Sequence, residues 1–195
     1  MVDLADLTHT DGDDNSAGIQ GYIYIAKLAD IETLPVPVLD DSTGDGDFAD
    51  LVTISDDIIM LPFKSFKQVY VTLETGQLDG KAQGEFDGMS FSNEFEFLIP
   101  GSGAEALGFG QWVKNSNLIM LVPEVDGRVR LFGHQGFPAK LSSADSTTGK
   151  KASDRKGITY KFRSSRKGPA PIFTGSVKLQ GSSGVTGDQD IFFIS

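Results

Sequence analysis

Apolar and polar residues alternate along three stretches of the chain, and a period of two predicts strands buried on one face. In residues 19–28, Tyr22 and Tyr24 alternate with Ile23 and Ile25. In residues 66–75, Val69, Val71 and Leu73 fall on one face and Gln68, Tyr70, Thr72 and Glu74 on the other. In residues 89–99, Met89, Phe91, Asn93, Phe95, Phe97 and Ile99 oppose Ser90, Ser92, Glu94, Glu96 and Leu98. The last two stretches predict one long antiparallel hairpin, Phe66 to Ile99, in which residues 76–88 with their four glycines are either a mobile loop or the far ends of the same strands. A ribbon of that length outruns a single core, so its apolar face is expected to need cover from a neighbouring chain.

The remaining pattern adds one helix and further strands. Ser102-Gly103-Ala104-Glu105 reads as a capping box opening a helix over 102–115, with Ala104, Leu107, Trp112 and Val113 on its inner face. Residues 117–125 and 128–133 flank Asp126-Gly127, the signal of a type I′ hairpin. Pro138 to Ser142 predicts a short strand, residues 143–156 a polar loop, and residues 157–164 a strand with Ile158, Tyr160 and Phe162 facing inward. Residues 1–18 and 40–50 form acidic, glycine-bearing loops, and the prolines between Leu34 and Leu39 make that segment extended. Eight to ten strands and one helix predict a mainly β domain spanning 1–195, a sandwich or partly closed barrel with the helix packed on it.

Composition fits this class and narrows the chemistry. The 195 residues suit one domain, and 23 Gly with 8 Pro interrupt long helices. No apolar run is long enough to cross a bilayer, and the acidic first residues do not form a signal peptide, so synthesis in the cytoplasm without membrane association is expected. With no Cys, thiolate chemistry is excluded, and only His9 and His134 provide imidazoles. The net charge of -10 hides an asymmetry: residues 1–60 carry 14 acidic groups against Lys27, whereas residues 128–178 carry 12 Lys and Arg against Asp145 and Asp154. Such regions either join copies head to tail or face each other and water within one subunit.

Three candidate chemistries can be weighed on the residues. An EF-hand loop from Asp11 would use Asp13 and Asn15, but Ser16 replaces the turn glycine and Tyr22 the bidentate Glu. Asp45, Asp47 and Asp50 read as a solvated turn before they read as an oxygen site. In Lys150 to Lys167, Tyr160 and Phe162 interleave with basic residues, yet strand alternation sends the aromatics inward and Lys161 with Arg163 outward, against a nucleic-acid stacking platform. Glu74, Glu94 and Glu96 resemble catalytic carboxylates only by type, and the polar face of a hairpin is ordinarily solvated. No catalytic residue, cofactor or metal is expected.

A resemblance supplies the functional expectation. Asp126-Gly127-Arg128, Gly133 to Gly136, Phe137-Pro138-Ala139-Lys140-Leu141, Thr148-Gly149-Lys150, Asp154 to Phe162 and Pro169 to Gly175 together resemble the C-terminal part of tail tube proteins of long-tailed bacteriophages and prophages. The resemblance implies a virion structural protein, made in the host cytoplasm, whose hexameric rings stack into a tube for DNA and join other tail proteins. It implies that the hairpin lines the bore, with Thr72, Glu74, Ser90, Ser92, Glu94 and Glu96 toward the lumen, where a negative wall would let DNA slide. Val69, Val71, Leu73, Phe91, Phe95, Phe97, Arg128, Arg130, Lys161 and Arg163 are then expected at subunit contacts, and the acidic first 60 residues between rings. The competing readings are a β-sandwich module recognising glycan or protein, a tail terminator or capsid accessory protein, and the inner tube of a contractile machine.

Overall fold

The computed structural model describes residues 16–37, 48–151 and 153–179, with the backbone of 190–191. The acidic loop positions before Ser16, His9 among them, and residues 40–47 with Asp45 and Asp47 lie outside the described residues. The fold is mainly β with one α-helix, and its described strands close no barrel.

Six strands form the larger sheet. They are β1 (Tyr22–Lys27), β3 (Thr53–Ile54), β5 (Lys67–Tyr70), β8 (Leu118–Pro123), β9 (Val129–Phe132) and β12 (Ile172–Phe173), in the order β3-β12-β9-β8-β1-β5. Every residue of β8 is buried. Its unbroken run Leu-Ile-Met-Leu-Val follows from cover on both faces, the condition under which a strand gives up alternation. On one side Ile119 and Leu121 join Ala26, Ile54, Phe66, Leu131 and Phe173 under two small sheets. Those sheets are β2 (Ile31–Thr33) with β4 (Ile59–Met60), and β13 (Val177–Lys178) with β14 (Asp190–Ile191).

Four strands form the second sheet, in the order β10-β11-β7-β6. They are β6 (Gln77–Gln83), β7 (Ser90–Pro100), β10 (Lys140–Thr147) and β11 (Gly157–Arg166). Its inner face packs on the other side of the larger sheet. Phe95, Phe97, Tyr160 and Phe162 meet Ile23, Ile25, Met120, Val122 and Phe132 in one core. The rings of Phe97 and Phe162 stack at 5.9 Å, and Phe95 reaches Phe132 at 6.0 Å.

This arrangement corrects the predicted hairpin. Lys67–Tyr70 pairs with Tyr22–Ile25 in the larger sheet, and the partner of Ser90–Glu96 is Gln77–Gln83, a stretch the sequence leaves open between loop and strand end. Gly76 and Gly80 disguise β6 in the sequence, because a strand with so few apolar side chains leaves little alternation to read. The apolar ribbon face also needs no neighbouring chain. Val71, Phe95 and Phe97 are buried within the subunit, Val69 packs against the same core, and Leu73 points to solvent. The expected subunit-contact role of these buried residues is therefore overturned.

Local signals fared unevenly. The helix α1 runs over Ala104–Val113 with Gly103, not Ser102, at its N-cap and no side-chain capping bond. Its inner face is Ala106, Phe109 and Val113 with Trp112 alongside, while Ala104 and Leu107 are exposed. Gly110 is required by close packing: a Cβ there would lie 2.8 Å from the Tyr160 hydroxyl, which donates to the Ala106 carbonyl at 3.0 Å. The β8–β9 turn is a three-residue loop rather than type I′. Gly127 alone has positive φ, and its N–H donates to the Glu124 carbonyl, the geometry of a type I turn followed by a left-handed glycine. Residues 143–147 belong to β10, so the polar loop is shorter than expected.

The core assignment predicts contrasting losses for two residues that share a face in the sequence pattern. Phe97→Ala should destabilise the isolated chain by about 3–5 kcal/mol in urea unfolding. Leu73→Ala should change it by less than about 0.5 kcal/mol.

Candidate functional site

The outer face of the four-stranded sheet gathers the candidate lumen residues. Backbone pairing sets Gln77, Glu96, Lys161 and Ser143 in one row across the sheet and Asp79, Glu94, Arg163 and Lys140 in the next. Paired residues of adjacent strands project on the same side, so these two rows are a surface and not a core. Ser92 and Ser90 continue it along β7 toward the β6–β7 turn, opposite Lys81 and Gln83. Glu94, Glu96, Ser90 and Ser92 thus stand together as the alternation predicts.

Thr72 and Glu74 do not join them. They lie in a turn after β5, where the Thr75 N–H and hydroxyl both bond to the Thr72 carbonyl and Glu74 adopts left-handed backbone with φ 62°. The Thr72 N–H donates to the Leu98 carbonyl, pinning this turn beside β7. The Thr72 hydroxyl is buried without a hydrogen-bond partner.

The expected negative wall is also corrected. Lys161 Nζ lies 3.3 Å from Glu94 and 3.7 Å from Glu96, and these carboxylates, Glu94 first, hold its pKa above the ordinary value. Arg163 donates through Nε to Ser92 Oγ at 2.9 Å and through its terminal nitrogen to Gln83 at 3.2 Å, covering Ser92 so that it is 6% exposed. Both cations were expected at subunit contacts, yet they neutralise this surface within one subunit. Sequence analysis missed the pairing because it placed β11 without its register against β7.

The charges are nevertheless sorted. The β10–β11 half carries Lys140, Lys161 and Arg163 against Asp145, and the β7–β6 half carries Asp79, Glu94 and Glu96 against Lys81. One half has a surplus of two positive charges and the other a surplus of two negative charges, from the same pairings. Among the described residues no strand continues the sheet beyond β10 or β6, so each charged half ends in an open edge.

Arg128 and Arg130 lie elsewhere, on the larger sheet. Arg128 forms a 2.9 Å ion pair with Asp126 inside the β8–β9 turn. Arg130 donates to the Ala170 carbonyl at 2.8 Å and lies 3.8 Å from Glu124. These arginines hold a turn and a strand in place within the subunit.

A groove of about 610 Å³ opens beside the start of β10, between Leu28, Phe137, Pro138 and Leu141, with Lys140 and Arg163 at its rim. His134 braces its wall. The imidazole Nε2–H donates to the Ser165 carbonyl at 2.9 Å, and Nδ1 accepts from the Gly136 N–H at 3.2 Å. The Nδ1 bond requires the neutral ring, and burial, aided by the Arg166 charge, pushes the His134 pKa below its ordinary 6.5. Arg166 is partly buried with one guanidinium nitrogen unpartnered, and burial lowers its pKa.

Comparison with protein-family models, curated proteins and solved structures returns no significant match. No described helix is long and apolar enough to cross a membrane.

The bracing role of His134 has a pH signature. Its pKa is lower folded than unfolded, so the unfolded chain binds the extra proton first, and stability present above pH 6.5 falls as pH drops below that value. Urea midpoints at pH 7.5 and 5.0 should differ less for His134→Gln than for the native chain.

Proposed function

We propose that this chain is the ring-forming subunit of a phage tail tube, in which the four-stranded sheets of six copies join edge to edge into one inner wall. The observation that carries this reading is the sheet itself: covered on one face, polar on the other, open at both edges among the described residues, and with Asp79 on one outer strand in the same row as Lys140 on the other. Open edges are ordinarily blunted because they recruit further strands. Here joining β6 of one copy to β10 of the next along that row sets Asp79 beside Lys140, a heterologous contact that can close into a ring. β10 runs antiparallel to β11 and hence parallel to β7, so β6 and the next copy's β10 would be antiparallel like every other pair in the sheet.

Dimensions and charge suit a conduit. Six sheets of four strands give twenty-four strands. At about 4.8 Å per strand the circumference is about 115 Å and the backbone diameter about 37 Å, before strand tilt widens it. Inward side chains take about 5 Å on each side, leaving a bore that admits a DNA duplex. The wall presents Glu94, Glu96, Ser90 and Ser92, with Lys161 and Arg163 held by their own neighbours. Phosphates passing such a surface find Lys161 already paired with Glu94 and Glu96, and Arg163 already bonded to Ser92 and Gln83. The setting, a virion tail with stacked rings and other tail proteins as partners, comes from the resemblance of residues 126–175.

Negative-stain microscopy of the purified chain should show rings or tubes. Reversing one edge, by Asp79→Lys or by Lys140→Glu, should abolish them, and combining both changes should restore them. Uniform monomers of the native chain at high protein concentration would overturn the reading.

A further inference from the structure

The tip of the β6–β7 hairpin is shaped to present one aromatic ring. Phe86 is 96% exposed, the most exposed large apolar side chain among the described residues. The tip is closed by a bond from the Gly88 N–H to the Glu85 carbonyl at 3.0 Å, and Asp87 takes left-handed backbone with φ 63°. An aspartate tolerates that conformation better than most residues, so the turn can keep Phe86 outward between two carboxylates. A ring held this way in water is unfavourable unless something covers it.

The groove at the start of β10 has the complementary character. Phe137, Pro138 and Leu141 supply an apolar floor, and Lys140 and Arg163 supply positive charge around it. The wall is braced as well: Ser164 Oγ donates to the Phe137 carbonyl at 2.7 Å, and the His134 ring lies 5.7 Å from that of Phe137.

The two features occupy opposite edges of one sheet at the same end. Lys140 stands in the row of Arg163, Glu94 and Asp79, and the tip begins a few residues beyond Asp79, past Gln83. Extending the sheet from β6 into the next copy's β10 therefore points this tip toward the Gln135–Phe137 end of that copy's groove. Within one subunit two strands, β7 and β11, separate them.

The geometry points to an intermolecular lock: Phe86 of one copy seats against Phe137 at the Gln135 end of the next copy's groove. This rests on the edge-to-edge reading proposed above and adds the element that fixes its register, which an exposed strand pair specifies weakly. Lock and edge pairing are separable, since one is a side-chain contact and the other a backbone ladder.

The absence of native cysteine makes cross-linking a clean test. Chains carrying Glu85→Cys are mixed with chains carrying Gln135→Cys, a groove-lining position, and oxidised. The expected result is a covalent dimer in the mixture and little in either variant alone, lost when Phe86→Ser is added to the Glu85→Cys chain. Phe86→Ala should raise the concentration needed for half-maximal assembly about thirtyfold, as for a central interface anchor. It should leave the melting temperature of the isolated chain unchanged. Chains with Asp79→Cys and chains with Lys140→Cys report the edges independently. An edge cross-link without the tip cross-link would overturn the lock and leave the ring standing. Monomers with neither cross-link would overturn both.

Discussion

The constraint on which the rest depends is the incomplete hydrogen bonding of a four-stranded sheet. A sheet can bury one face on a core and give the other to water, but its two outermost strands still hold backbone groups that only another strand can pair in register. In this chain the buried face is fully committed: Phe95, Phe97 and Phe162 are inaccessible and pack on the larger sheet. The subunit is therefore complete as a folded core and open as a sheet. What association can supply is pairing at β6 and β10, together with cover for Phe86, and not the completion of a core.

Electrostatics follows from the same geometry. The pairing of β11 with β7 brings Lys161 between Glu94 and Glu96 and places Arg163 over Ser92, so the outer face is nearly balanced in charge. The surplus charges sit on the two inner strands, Lys161 and Arg163 on β11 and Glu94 and Glu96 on β7, and each outer strand carries one cation and one carboxylate. An exposed ion pair of this kind contributes little to the stability of one subunit.

Much of the architecture was legible where alternation or a continuous apolar run was strong. The faces of β1, β7 and β11 fall as read, and Leu118–Val122 is buried throughout. Strand partners were not legible, because periodicity reports which face is buried and says nothing of which strand lies alongside. Gln77–Gln83 reads as either loop or strand end, with two polar residues and a glycine among its first four positions. Lys67–Tyr70 was assigned to the wrong sheet for the complementary reason, that a short alternating segment fits either. Of the candidate wall, the β7 residues were read correctly from one strand. Their cationic neighbours needed the β7–β11 register, and the Phe86 tip and its groove needed three-dimensional proximity that no local motif encodes.

Backbone hydrogen exchange, compared between the dispersed chain and its assembled form, tests the central claim most directly. Edge pairing predicts that outward-pointing amides of Gln77–Gln83 and Lys140–Thr147 exchange rapidly in the dispersed chain and become strongly protected on assembly, while β8 is protected in both. Assembly without new protection on both edges would contradict the account.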